Sequence, residues 1–267
     1  MADWDPDLYH RFRRYRDEPV AMILARLSLD RAKKIADLGC GTGEHTVELA
    51  RRSAAGAALG LDSSAAMIER AIALRASLPR DLQARVTFSL GDFRDFAADR
   101  EYDVVFSNAA FQWARDHRDL LARCFRALRA GGTLAVQIPA NDREIAQVTI
   151  HALAAQAPWQ AGLGKIRTPS DATVRAPAEY QAMLAEIGFV DIDCHYHLFR
   201  HPMNSPAEVV EWSRATALRP YLDALPADRH ANFIAELTRR LEHAYGTRGP
   251  LVFEFRRLFL WARPAAD

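Results

Sequence analysis

The chain has 267 residues, enough for one large domain or for an α/β domain carrying a second lobe. With 49% hydrophobic and 26% charged residues and a formal net charge of +1, its composition is that of an ordinary globular protein and gives no global sign of a nucleic-acid partner. Cys40, Cys124 and Cys194 form no CxxC and cannot all pair, which excludes a disulfide framework or a cysteine zinc site and suits a reducing cytoplasm.

The acidic start Met-Ala-Asp-Trp-Asp-Pro-Asp does not read as a signal peptide, and no apolar run is long enough to span a membrane as a helix. The basic stretch His10–Arg16 reads as a solvated helix face. Pro19–Leu27 is apolar and helix-like, and Lys34–Leu38 is a short strand running into glycines. Glu44–Arg52 is a helix, Ala57–Leu61 a second strand ending at Asp62, and Ser64–Ser77 a helix capped by Ser63 or Ser64. Val86–Leu90 and the almost wholly apolar Tyr102–Ser107 read as the third and fourth strands. Arg118–Leu128 is a helix that Gly131-Gly132 is expected to stop, and Thr133–Ile138 is the fifth strand. Strands separated by helices predict a doubly wound, mostly parallel α/β sheet.

After Pro139 the rhythm changes. Residues 142 to about 185 read as mainly helical, broken by a loop at 162–177. Phe189–Phe199 and Phe253–Ala262 read as strands, Pro206–Leu218 and Pro226–Tyr245 as helices. The expected organisation is an N-terminal helical segment over 1–30 that closes the site, a cofactor core over 31–141, and over 142–267 a mainly helical cap plus strands completing the sheet.

Chemistry concentrates at three strand ends. Gly39, Gly41 and Gly43 alternate directly after the first strand, where the chain must turn sharply into a helix and leave bare backbone for a ligand. The register is G-x-G-x-G, not the G-x-G-x-x-G of a dinucleotide site, and no lysine completes a P-loop. Glu44 at the helix start suits a cationic sulfonium better than a pyrophosphate. Asp62 ends the second strand, where a carboxylate accepts from ribose hydroxyls. Gly91-Asp92-Phe93 follows the third, where Asp92 is placed for an adenine amino group and Phe93 for the base. Taken alone, Asp92 also reads as a turn residue.

The segments IADLGCGTGEHT, LGLDSS and LGDF resemble the cofactor motifs of class I S-adenosylmethionine-dependent methyltransferases, over residues 33–140. The resemblance implies a Rossmann-like fold with S-adenosyl-L-methionine as cofactor. It places Asp37 and Gly39 near the methionine part, Asp62 at the ribose, Asp92 at the adenine and Asn108 at the methyl-donor end, with Ser63 and Met67 among the cofactor-binding residues. Further segments, among them DWDPDLY (3–9), NAAFQW (108–113), ALRPYL (217–222) and RLF (257–259), are similar to the trans-aconitate 2-methyltransferase subfamily. That likeness implies methyl-ester formation on a small polycarboxylic acid.

Carboxylates call for bidentate cations, so Arg16, Arg219 and Arg257 are the candidates, with Arg219 expected to point inward and Arg256 to face away from Arg257. Trp4, Tyr9 and Trp113 are candidates to line the acceptor pocket, and ordinary core packing is the alternative for each. His45 reads either as an acceptor contact or as a capping-turn histidine, and no histidine spacing implies a metal site. The nearest rival reading is a methyltransferase for another small metabolite, oxygen or carbon centred. From other classes, a nicotinamide oxidoreductase and a non-catalytic cofactor-binding module are the rival readings. The glycine register and Asp92 oppose the oxidoreductase, and the intact acidic partners oppose the module. A cytoplasmic monomer acting on a small molecule, with no nucleic acid or membrane partner, is the expectation.

Overall fold

The computed structural model describes residues 12–166, 174–214 and 217–266. Trp4 and Tyr9 lie outside the described residues. A seven-stranded sheet organises the chain, in the order β3-β2-β1-β4-β5-β7-β6. Its strands are β1 (Lys34–Leu38), β2 (Ala57–Asp62), β3 (Val86–Leu90), β4 (Tyr102–Asn108), β5 (Leu128–Pro139), β6 (Phe189–Met203) and β7 (Leu251–Pro264). The first five are parallel. Gly131 N–H reaches Ala265 O while Ala140 N–H reaches Arg256 O, so β7 runs antiparallel to β5. The sheet order reverses between β1 and β4, the switch point at which α/β sheets open a crevice beyond their strand ends.

Two compact units divide the chain. Among the described residues, one comprises 19–138, 174–196 and 258–266; the other comprises 12–18, 139–166, 197–214 and 217–257. In the first, β1 and β4 are buried on both faces, which explains their continuous apolar runs. Helices α2 (Glu44–Arg52), α3 (Ala65–Ala76), α4 (Arg80–Arg85) and α5 (His117–Ala127) intervene between these strands, and α8 (Pro177–Ile187) precedes β6. The second unit has its own core, with Trp212, Tyr221, Phe233, Phe253 and Ile150 among its buried residues. They come from α6 (Ile145–Ala154), which the short α7 (Gln160–Leu163) follows, and from α9 (Pro206–Arg214), α10 (Arg219–Asp223), α11 (Ala227–Tyr245) and the nearby parts of β7.

The expected fold class is the observed one, with local corrections. Gly131-Gly132 does not stop a helix. The helix ends at Ala127 and β5 begins at once, with Tyr102 opposite Leu128 but Val104 opposite Thr133. Residues 129–132 therefore bulge, and Gly131 at φ 68 supplies the left-handed residue that a bulge needs. The expected helix Pro206–Leu218 ends earlier, at Arg214, and a separate short helix starts at Arg219 with Pro220 in its first turn. α1 (Arg13–Ala25) starts before Pro19 and carries it inside, and α4 was not foreseen. Ser64 does cap α3, accepting from Met67 N–H.

Leu38 is fully buried at the last position of β1. Leu38→Ala is expected to cost about 2–5 kcal/mol, the usual range for emptying a tight core site. The measurement is the urea midpoint at constant m, and a shift of under about 1 kcal/mol contradicts the packing described.

Candidate functional site

The turn after β1 is built around close approach. Gly39, Gly41 and Gly43 all lie at positive φ (77, 55 and 88). A Cβ on Gly39 would lie 2.2 Å from the Cβ of Ala110, so the segment after β4 rests directly on this glycine. A Cβ on Gly41 would meet nothing within 4 Å, which leaves the crest of the turn as open backbone. Gly39 and Cys40 N–H both donate to Leu61 O, at 2.8 and 3.0 Å. α2 then starts at Gly43 with no side-chain cap, so its first-turn N–H groups keep the partial positive charge of a helix N-terminus.

Asp62 is the tie between turn and sheet. One carboxylate oxygen accepts from Gly41 N–H at 2.9 Å and the other from Ser64 N–H at 2.9 Å. Each oxygen keeps a further lone pair, so hydroxyl donors can be added without breaking either bond. Ser63 is exposed and Met67 half-buried on the adjoining turn of α3. Asp92 caps a short 3-10 turn (Phe93–Asp95) through Arg94 N–H, 2.8 Å away, and pairs with the Arg94 guanidinium. Arg94 holds the Asp92 carboxyl below the usual range. Nothing in the sequence pattern singled out Arg94, because a pair two residues apart in a turn has no periodic signature. Phe93 is buried and stacks on Phe111, with centroids 5.7 Å apart.

Asn108 ends β4. Its side-chain oxygen is buried and has no hydrogen-bond partner, an acceptor awaiting a donor. The next residue, Ala109, is held at φ 54, strain of the kind that gathers at working sites. Trp113 is 60% exposed in the same segment, and His45 is half-buried in the first turn of α2, edge-on to Phe106.

Asp37 is only 1% exposed and accepts from Thr46 Oγ1 at 2.6 Å. Burial pushes its pKa up to about 7, the Thr46 bond works against this, and the Asp62 charge adds to it. These glycines, open N–H groups and carboxylates, with the bare Asn108 oxygen, fit S-adenosylmethionine, whose ammonium and hydroxyl donors match acceptors and whose sulfonium tolerates acidic neighbours.

The other unit holds the candidate cations. Arg257, on β7, is 6% exposed, with its guanidinium 4.6 Å from the Phe255 ring and 5.9 Å from that of Phe199. Burial, and secondarily Arg16, pulls its pKa down to about 9, while Glu18 opposes this, so it is still a cation at pH 7. Arg16 is half-buried over the Trp212 ring, 5.3 Å from its centroid. As expected from strand alternation, Arg256 faces elsewhere and forms an ion pair with Glu144 at 2.8 Å. Arg219 corrects the sequence reading: its side chain is 73% exposed and turned along α10 toward Asp223. Pro220 explains the change. It starts a fresh short helix, and Arg219 falls on the outer face of its first turn.

Comparison with known proteins decides the family. A methyltransferase domain model matches residues 35–132. Over their full length and that of this chain, the trans-aconitate 2-methyltransferases of Variovorax paradoxus and Methylobacterium radiotolerans are 38% and 39% identical to it. The chain belongs to the trans-aconitate 2-methyltransferase family. Solved structures agree on the fold. The YcgJ protein of Bacillus subtilis matches with a TM-score of 0.61 at 15% identity, over 93% of this chain and 98% of that one. A phosphoethanolamine N-methyltransferase of Haemonchus contortus, solved with S-adenosylhomocysteine, matches with a TM-score of 0.59 at 16% identity, over 93% of this chain and 52% of that one. As a trans-aconitate 2-methyltransferase family member the chain is an enzyme of the S-adenosylmethionine-dependent class. Among the described residues no cluster of metal-ligating side chains occurs and no helix is long and apolar enough to cross a membrane.

The Asp37 environment makes a pH prediction. A carboxyl raised from about 4 when unfolded to about 7 when folded costs nothing below pH 4, and its cost grows until the pH passes the folded value. Relative to Asp37→Asn, the ligand-free wild type is expected to lose stability between pH 4 and 7, by on the order of 2–4 kcal/mol in total. Parallel denaturant curves for the two proteins across this window would show the cause to lie elsewhere.

Proposed function

We propose that this chain transfers the methyl group of S-adenosylmethionine to a carboxylate of a small polycarboxylic acid, with trans-aconitate, the substrate named for its relatives, as the first candidate. The observation that carries the acceptor assignment is the buried Arg257 guanidinium with Arg16 as its like-charged neighbour. Two cations in an aromatic, poorly solvated setting repel each other, and a bound polyanion reverses that cost. A planar guanidinium also matches a carboxylate bidentately. Arg16, Arg257, His45 and Trp113 are the described residues we assign to the acceptor, and Trp4 and Tyr9 remain assigned from the sequence.

For the cofactor we assign Asp37, Gly39, Gly41 and Gly43 to the methionine part. Asp62, Ser63 and Met67 take the ribose, Asp92 and Phe93 the adenine, and Asn108 the methyl-donor end. When bound, the cofactor supplies an electrophilic methyl group on a cationic sulfur. The acceptor carboxylate, with a pKa of about 4, is already ionised at neutral pH, so the protein needs no general base. Its work is to orient one acceptor oxygen in line with methyl carbon and sulfur, at roughly 3 Å, and to exclude water while opposite charges neutralise. We read residues 31–141 as the cofactor core, with 1–30 and 142–267 supplying acceptor groups. A monomer in the cytoplasm, acting on a small molecule and not on nucleic acid, is consistent with the near-zero net charge and three free cysteines.

The test is formation of a methyl ester by purified protein given S-adenosylmethionine and trans-aconitate, citrate-like tricarboxylates or monocarboxylates. Methylation confined to polycarboxylates supports the assignment, and none with any acid defeats it. Arg257→Met is expected to raise KM for the acid by about 10- to 100-fold, the loss of one charge-assisted contact, with cofactor affinity unchanged. Asp62→Ala should instead weaken S-adenosylhomocysteine binding by roughly 1–3 kcal/mol in calorimetry. The two variants swapping these effects, or showing neither, would remove both residues from their roles.

A further inference from the structure

One buried titratable side chain has no part in the chemistry above. His117 opens α5 and is 3% exposed. Its Nε2 lies 2.8 Å from the Phe111 carbonyl oxygen, and its Nδ1 meets the hydroxyl of Tyr180 on α8. A carbonyl only accepts, so Nε2 carries the proton and Nδ1 accepts from Tyr180 O–H. The Tyr180 oxygen in turn faces Arg175 N–H at 3.5 Å. This chain of donors is complete only with a neutral imidazole. Burial holds the His117 pKa below its ordinary value. The Phe111 contact opposes that, nearby Arg175 adds to it, and the Ala114 backbone and Asp116 oppose it.

The pinned carbonyl belongs to the segment after β4. Phe111 starts a 3-10 turn (Phe111–Trp113) and stacks on Phe93. Ala110 just before it fills the place where a Gly39 side chain would project. Ala109 is strained, and its carbonyl is held by Gln112 Nε2 at 2.6 Å. Asn108 precedes it with its bare buried oxygen. A residue at φ 54 other than glycine persists only where its surroundings over-determine it. The His117 bond is one of those constraints.

We propose that His117 is a positioning residue: its neutral imidazole, fixed between Tyr180 and the Phe111 carbonyl, holds Asn108–Trp113 on its strained course against Gly39 and so sets the methyl-donor end of the site. This rests on the assignment of Asn108 to the cofactor.

The experiment compares full-length wild type, Tyr180→Phe and His117→Gln. Hydrogen exchange is followed in peptides covering 108–113 and 102–107, S-adenosylhomocysteine binding by calorimetry, and kcat and KM across pH 5–8. Exchange in 108–113 is expected to quicken by roughly tenfold, with 102–107 unchanged, and affinity for S-adenosylhomocysteine to fall about three- to tenfold, in line with one lost hydrogen bond. kcat should fall more than acceptor KM rises. In Tyr180→Phe the acid limb of kcat moves to higher pH, because the donated tyrosine proton stabilises neutral imidazole and its loss raises the histidine pKa. Unchanged local exchange and affinity in the folded variants overturns the proposal, as does uniform quickening over the whole chain. If His117→Gln does not fold, Tyr180→Phe decides alone. If no carboxylate is methylated by any form but local exchange and cofactor affinity change as stated, the acceptor assignment falls and the positioning role stands.

Discussion

The Asp62 carboxylate is the constraint on which the cofactor turn depends. The three glycines of the turn have no side chains to hold it, and all three lie at positive φ. Asp62 reaches it from β2 and accepts from Gly41 N–H, while its other oxygen starts α3 at Ser64. One side chain thus joins the turn after β1 to the turn after β2. It does so without exhausting its acceptor capacity, so the same group can shape the turn and receive a hydroxyl. On the proposed cofactor assignment, any substitution at Asp62 acts on ligand and scaffold together. That is why affinity and stability must be measured side by side there.

Asp37 stands one layer deeper and costs the ligand-free protein something. A carboxyl pushed up to about 7 by burial is partly protonated at neutral pH. A cationic ligand nearby would favour its ionised form, so part of that cost is recovered only when the ligand is bound. The Arg16–Arg257 pair in the other unit has the complementary logic, with like positive charges in place of buried negative ones.

Much of this was legible in the sequence, for physical reasons. A parallel sheet buried on both faces writes continuous apolar runs, so Tyr102–Ser107 could be read as a strand without alternation. Catalytic folds of this kind place polar residues at strand ends, so Asp62, Asp92 and Asn108 were visible as breaks in those runs. What escaped was set by contacts distant in sequence or by turn chemistry. The bulge at Gly131-Gly132 depends on how β5 registers with β4, and the same dipeptide equally suits a helix stop. Arg219 looked inward because an apolar stretch precedes it, but the helix that would have turned it inward ends at Arg214. The His117–Tyr180 contact joins residues 63 positions apart, and only the packing of α8 brings them together.

The strained segment after β4 links these observations. Gly39 is glycine because Ala110 occupies the space a side chain would need, and Ala110 is there because Ala109 turns the chain through the left-handed region. That turn costs on the order of 1–3 kcal/mol for a residue with a side chain. The hydrogen bonds from Gln112 and His117, the Ala109 N–H bond to Gln137 and the Phe93–Phe111 stack offset it. Relaxing the turn would lift Ala110 from Gly39 and re-aim Asn108 together, since the residues are consecutive. The position of a single carboxamide oxygen at the end of β4 is therefore fixed by groups from the turn after β3 and from β5, α5 and α8. This is a structural reason for the segment after β4 to be more rigid than a loop of its length would otherwise be.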